Sequence, residues 1–191
     1  VKKNTGLYTP SEILQLTKDG HWGGSYQLID QQTVTSSTSA IDFTSIQGER
    51  FDIHYISIQG FETDGGGQSL ISIRYSTDGG SSFITSGYQN AYKQMFANGT
   101  FNDLDTGSGT ESGIRVGFNN GTEQGSGDVY LYNLNNSSMF SYNTFGNIQE
   151  NACLSFGGGV YPTANTVNAI RVFDPVNMDN AIVKLYGVKE L

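Results

Sequence analysis

The residues able to do chemistry in this chain are few and scattered. The stretch Ser76-Thr77-Asp78-Gly79-Gly80-Ser81-Ser82-Phe83 sets an aspartate among serines and two glycines. An Asp so placed caps backbone N–H groups of its own turn, and the Gly79-Gly80 pair supplies the positive φ of a tight reversal. That is the chemistry of a structural turn. Asp103, Asp105 and Glu111 bring together carboxylates, the donor type that calcium takes. Their spacing departs from the alternate positions and closing bidentate Glu of an EF-hand loop, so no metal is expected there. His21 and His54 are the two histidines, and neither stands at metal-ligand spacing from another His, a Cys or paired carboxylates. His54, beside Asp52 on a strand, is expected on an exposed face. Cys153 is the single cysteine; it excludes an intrachain disulfide and, between Ala152 and Leu154, reads as a small core residue. Paired carboxylates of the glycosidase kind are set in space rather than in sequence, and 18 acidic residues make many accidental pairs. No G-x-S-x-G elbow, H-E-x-x-H, C-x-x-C or P-loop occurs. The expectation is a protein that is not an enzyme, with no catalytic residue, metal or cofactor.

Composition narrows the partners. The chain has 191 residues, a formal net charge of −8 and ten basic residues with no run beyond Lys2-Lys3. Nucleic-acid affinity comes from clustered Lys and Arg, so no nucleic acid is expected. No apolar run approaches the roughly 20 residues needed to span a bilayer, so no membrane is expected either. Glycine is abundant at 25 residues, and 11 Tyr and 11 Phe are enough to fill a core. One main domain follows from the length.

The elements that would position these residues are strands. Residues 51–88 carry the clearest signal. Ile71, Ile73 and Tyr75 alternate with Ser72, Arg74 and Ser76, the period of a half-buried strand. The Asp78-Gly79-Gly80 turn then reverses the chain into Ser82-Phe83-Ile84 as a hairpin. Upstream, Phe51, Ile53 and Tyr55 share one parity while Ile56 and Ile58 take the other, which predicts a bulge near Tyr55 or burial on both faces. Residues 60–67 read as an exposed loop. Residues 97–113 are polar and longer than a usual hairpin connection; with Phe101, Asp103, Asp105 and Glu111 they are the candidate contact loop. Further strands are expected at residues 25–34, 114–118, 128–134, 153–156, 168–173 and 180–188. The count is nine or ten, the all-β signature of an antiparallel, jelly-roll-like β-sandwich over residues 25–191.

One helix is expected. Tyr8-Thr9-Pro10-Ser11-Glu12 combines an N-cap, a proline at the first helical position and a capping box, with Tyr8 and Ile13 as a hydrophobic staple and Gly20 as the C-terminal cap. At about two and a half turns it is marginal alone and must dock. Ile13, Leu14 and Leu16 form its apolar side, and the partner is either the end of the sandwich or a neighbouring subunit. Trp22 follows as an anchor at the sandwich edge or as a sugar-stacking platform.

Two resemblances add to this. The Ser76–Phe83 stretch resembles the Asp-box of sialidases and other propellers, but one copy, four arginines and a short chain do not make that propeller. More broadly, Ile41-Asp42-Phe43-Thr44-Ser45-Ile46, the 51–58 strand, the Arg74–Phe83 hairpin and the closing Lys184-Leu185-Tyr186-Gly187-Val188-Lys189 resemble small bacteriophage virion proteins. The resemblance covers roughly residues 39–191 and transfers no catalytic residue. It implies a jelly-roll-like β-sandwich in the phage particle, as capsid decoration or cement protein, head fibre or tail component. Partners would then be other virion proteins and further copies of the chain in a homo-oligomer. Residues 1–24, with Ile13, Leu14, Leu16 and Trp22, would be an attachment arm. The alternative is a tail-associated carbohydrate-binding module that presents tyrosines and Trp22 to host glycans. Aromatic residues on an exposed face would favour it.

Overall fold

A computed structural model of the chain describes residues 8–18, 25–65, 68–69, 71–105, 109, 111–116, 119–120, 124–150 and 153–189. Helix α1 (Pro10–Lys18) precedes thirteen strands: β1 (Tyr26–Val34), β2 (Thr38–Phe43), β3 (Ile53–Thr63), β4 (Gln68–Ser69), β5 (Ser72–Ser76), β6 (Gln89–Phe96), β7 (Phe101–Asp105), β8 (Ile114–Arg115), β9 (Asn119–Asn120), β10 (Gly125–Tyr132), β11 (Ser141–Gln149), β12 (Cys153–Tyr161) and β13 (Ala169–Val188). Strands β4, β8 and β9 have two residues each, which leaves the ten longer strands of the expected all-β fold. Every pairing is antiparallel, in the order β7-β6-β12-β11-β10-β3-β13-β5-β8, with β1 and β2 also paired to β13 and β4 paired to β9 apart.

Strand β13 is 20 residues long and belongs to two layers. Its first part, Ala169 to Phe173, lies between β2 and β5; its last part, Ala181 to Val188, lies between β1 and β3. The corner falls at Asp174-Pro175-Val176-Asn177. Pro175 has no N–H for a ladder, Asn177 takes φ 78°, and the buried Asp174 carboxylate accepts the Val176 N–H at 2.8 Å. Strands that switch layers through such irregularities make the corners of sandwiches. The sequence predicts two strands here, at 168–173 and 180–188; the chain runs them into one.

The layers close on an apolar core. Ile41, Phe43, Ile73, Tyr75, Ile170 and Val172 face Ile56, Ile58, Val129, Leu131, Val183 and Leu185, all buried. In β3 the inward residues are His54, Ile56 and Ile58, with Tyr55 and Ser57 outward; the parity changes at Gly60 (φ 58°), after which Phe61 and Thr63 turn inward. The bulge therefore sits at Gly60, not near Tyr55. His54 is wholly buried rather than exposed. Its Nε2 lies 2.7 Å from the Ile46 carbonyl, which can only accept, so Nε2 carries a proton; burial and a buried Nδ1 with no partner to receive a second proton favour the neutral ring.

Other expectations change as well. Residues 60–63 belong to β3 and not to a loop, and residues 101–105 of the expected contact loop are β7, the outermost strand beside β6. The limb after the Asp78 turn returns only the Ile84 N–H to the Tyr75 carbonyl at 2.9 Å, and the ladders of β5 run to β13 and β8 instead.

Two tests of this packing follow. The Phe51 ring lies on the Gly187 backbone, where a Cβ would stand 2.2 Å from ring atoms, so Gly187→Ala is expected to cost about 1–3 kcal/mol, read as a lowered Tm. Burial depresses the His54 pKa below its ordinary value of 6.5. The unfolded chain then binds the proton more readily, so the contribution of the neutral ring is intact above pH 6.5 and declines as pH falls below it. Urea midpoints should drop between about pH 7.5 and pH 5, and His54→Gln should remove that part of the pH dependence.

Candidate functional site

Alternation along the large layer decides which side chains leave the core. On its outer face the registers set Tyr186 of β13 opposite Tyr55 of β3, Tyr55 opposite Tyr130 of β10, and Tyr132 of β10 opposite Tyr142 of β11. Tyr26 of β1 joins them. Its ring meets Tyr55 edge-on at 5.2 Å between centroids, Tyr55 lies 5.1 Å from Tyr130 and 5.8 Å from Tyr186, and Tyr132 stacks on Tyr142 at 4.7 Å and 18°. Tyr130 and Tyr132, at 6.4 Å and 22°, link the two groups into one array. Such ring pairs add to stability beyond their area, yet here they are spent on an outer surface.

The hydroxyls are ordered too. Tyr26 and Tyr130 share a hydrogen bond at 2.6 Å, and Tyr55 donates to the Asp128 carboxylate. The bond to Tyr26, then burial, pushes the Tyr130 phenol up to about 12. Burial, then the Asp128 bond, raises Tyr55. Both phenols are neutral near pH 7.

The array ends at an open depression. Beyond Tyr142 the outward residue of the next strand is Val160 of β12, and the segment after β10 raises Asn133, Ser138, Met139 and Phe140 around a hollow of about 590 Å³. Tyr142 is 41% exposed, Met139 53% and Phe140 51%. The loop is braced by its own amides. Asn133 (φ 61°) donates from Nδ2 to the Phe140 carbonyl at 3.2 Å, and the Asn136 Oδ1 accepts the Ser138 N–H at 2.9 Å. An aromatic wall with a few amides and hydroxyls is chemistry of the kind that small-ligand sites use. It can hold a ligand by apolar faces and hydrogen bonds; the hollow's lining offers no ionisable catalytic pair.

The residues singled out in the sequence lie elsewhere. Asp78 accepts from the Ser82 N–H (2.9 Å) and hydroxyl (2.6 Å) and from Ser76 (2.7 Å). These bonds, the Ser82 hydroxyl first, hold its carboxyl down to about 2. Gly79 and Gly80 take φ 73° and 89°, and Asn168 clamps the turn, accepting the Gly79 N–H at 2.7 Å and donating to the Thr77 carbonyl at 3.1 Å. This turn is structural. Asp103 and Asp105 fall on β7, whereas Glu111 bridges to Tyr88 and pairs with Arg115 at 2.9 Å. No group of three metal-ligating side chains occurs among the described residues. Phe101 is exposed at the far edge of the outer face. In α1, Ile13 and Leu16 are half-buried and Leu14 is 55% exposed; Trp22 and His21 lie outside the described residues. The capping box forms as expected, with the Thr9 N–H on Glu12 at 2.9 Å and the Glu12 N–H on Thr9 Oγ1 at 3.3 Å.

Sequence reasoning missed Met139, Phe140 and Tyr142 because it placed no strand at β11. Of its inward residues only Phe145 is apolar, and Ser141, Asn143, Asn147 and Gln149 are polar and buried, so the usual apolar period is absent. The signal available was the inverse one, with the large Tyr142 and Ile148 on the parity opposite to the buried polar residues.

No family model matches the chain, and no curated protein matches it by sequence. Among solved structures, the PL-14 alginate lyase from Aplysia kurodai is similar over 74% of this chain and 71% of its own, with TM-score 0.36 and 8% identity. An alginate lyase in complex with alginate tetrasaccharide is similar over 84% and 80%, with TM-score 0.33 and 11% identity. The CBM2 module of the evolved Dit of Lactobacillus casei BL23 phage J-1 is similar over 88% and 82%, with TM-score 0.25 and 7% identity. Likenesses of this degree place no activity, ligand or assembly on this chain.

Proposed function

We propose that this chain is a non-catalytic glycan-binding β-sandwich of a phage particle. The observation that carries the binding half is the exposed depression at the end of the tyrosine array. Sugars present apolar C–H faces that pack on aromatic rings and hydroxyls that need partners once water is displaced; Tyr142 and Phe140 supply the first, Asn133 and Ser138 the second. A ring already fixed by stacking on Tyr132 loses little freedom on binding, which favours affinity. The particle half rests on the resemblance of the Ile41–Ile46 segment, the Arg74–Phe83 stretch and the closing Lys184–Lys189 strand to small virion proteins.

A second role fits the N-terminal segment. Helix α1 buries none of its residues and exposes Leu14, which favours an arm over residues 1–24 that docks on another virion protein. The chain would then decorate or cement a shell, or sit on a tail, in several copies.

Two experiments check these roles. On a glycan array the protein should bind a defined set of saccharides, and Tyr142→Ala should weaken that binding about tenfold with the Tm unchanged within a few degrees; no binding, or binding indifferent to Tyr142, overturns the proposal. Deleting residues 1–24 should leave the melting of the sandwich unaltered and abolish incorporation into particles; normal incorporation removes the arm.

A further inference from the structure

A second furrow opens on the same outer face, about 530 Å³ in volume, walled by Ser57, Gln59, Ser126, Asp128, Ile148 and Leu154. Its floor is Gly146. In the cross-strand row that runs outward through Asp128, Gly146 and Phe156, the missing side chain of Gly146 is what makes the space. Nothing in the fold demands glycine there. A Cβ at Gly146 would meet no atom within 4 Å, and the backbone is not left-handed. Gly127 on β10, which lies opposite Asn147, differs: a Cβ there would stand 2.5 Å from the Asn147 side chain.

The furrow continues the tyrosine face. Asp128, which walls it, is the carboxylate that accepts from Tyr55. Along β11 the outward positions run Tyr142, Thr144, Gly146, Ile148, so the two depressions lie about 14 Å apart at ~3.4 Å per residue, with only the small Thr144 between them. The charge of the lining is equally informative. Neither depression is lined by a Lys or Arg, and the one charged group is the Asp128 carboxylate, on a chain of net charge −8. Lys184, opposite Ser57, and Lys93, opposite Phe156, share the cross-strand row but line neither hollow. A uronate or sulfated chain laid here would meet a like charge and no fixed cation, which selects against it. Serines, amides and rings suit an uncharged polyol.

Resting on the glycan-binding reading above, we infer that this face takes an extended, uncharged, linear glycan, which runs from the Tyr142 depression along β10 and β11 into the Gly146 furrow. The furrow adds contacts that a disaccharide held at Tyr142 does not reach.

The test is a titration of the full chain with linear gluco-, manno- and galacto-oligosaccharides, from disaccharide to hexasaccharide, and with oligogalacturonides of the same lengths. In at least one neutral series the hexasaccharide should bind at least tenfold tighter than its disaccharide, with the oligogalacturonides weaker than both. Gly146→Leu, checked for an unchanged melt, should bring the hexasaccharide down to the disaccharide's affinity. Asp128→Asn should raise the affinity of the oligogalacturonides. Equal affinities for short and long chains, tight uronate binding, or a Gly146→Leu variant that binds the hexasaccharide like the parent each overturns this inference. If disaccharides bind through Tyr142 without any gain in length, this inference alone fails; if no saccharide binds, the glycan reading fails with it.

Discussion

Strand β13 is hydrogen-bonded on both edges over both of its parts, and no other strand in the described residues joins the two layers in this way. That constraint sets the rest. Because Ala169 to Phe173 is fixed between β2 and β5, and Ala181 to Val188 between β1 and β3, the angle between the layers is decided by four residues at the corner. The Asp174 carboxylate has to be buried there to hold the Val176 N–H. The corner is also tied from outside. The Asn177 side chain donates to Ser37, which donates to Asp64, and the Asp64 N–H returns to the Asn177 carbonyl. An interior polar group pinned in this way specifies geometry more than it stabilises.

The inner face is uneven. Around β3, β10 and β13 it is mostly apolar, with His54, Thr63 and Asp174 as the buried polar residues of those strands, whereas across β6, β12 and β11 it carries Gln94, Ser155 and Asn147 in one cross-strand row, with Gln149 two residues beyond. The Gln94 Nε2, Ser155 Oγ, Asn147 Oδ1 and both Gln149 side-chain polar atoms are buried without a protein partner. Each such group works against folding by about 1–3 kcal/mol unless water reaches it. The internal cavity lined by Asn147 and Gln149, about 10 Å³, has room for one water. This cavity is therefore too small for anything larger than water, whereas the larger hollows described above lie on the other side of the same strands.

What was legible in the sequence follows from this division. Strands whose inner residues are apolar, such as β5 with Ile73 and Tyr75 or the end of β13 with Val183 and Leu185, announce themselves by period. The capping box at Thr9 and Glu12 is equally plain, because its signal is local. Strand β11 is hidden, since its inward Asn143, Asn147 and Gln149 imitate a loop. Strand β7 is hidden by the glycines and acidic residues around it. The tyrosine array was legible only in part: Tyr130 and Tyr132 fall on one side of a strand by parity, but their neighbours Tyr26, Tyr55, Tyr142 and Tyr186 come from four other strands, and only the register brings them together. His54 was misjudged because parity read from Phe51 and Ile53 placed the apolar face wrongly; the bend before β3 resets it.

The short strand at the rim of the large layer has a bearing on how copies of the molecule behave side by side. Among the described residues β7 pairs only with β6, so it is the edge strand of this layer there. It is five residues long and contains Asp103 and Asp105. Brevity discourages a second molecule from zippering onto such an edge. A sheet that ends on so short a strand offers another copy of the chain little backbone to pair with, so side-by-side contact between copies does not by itself extend the sheet.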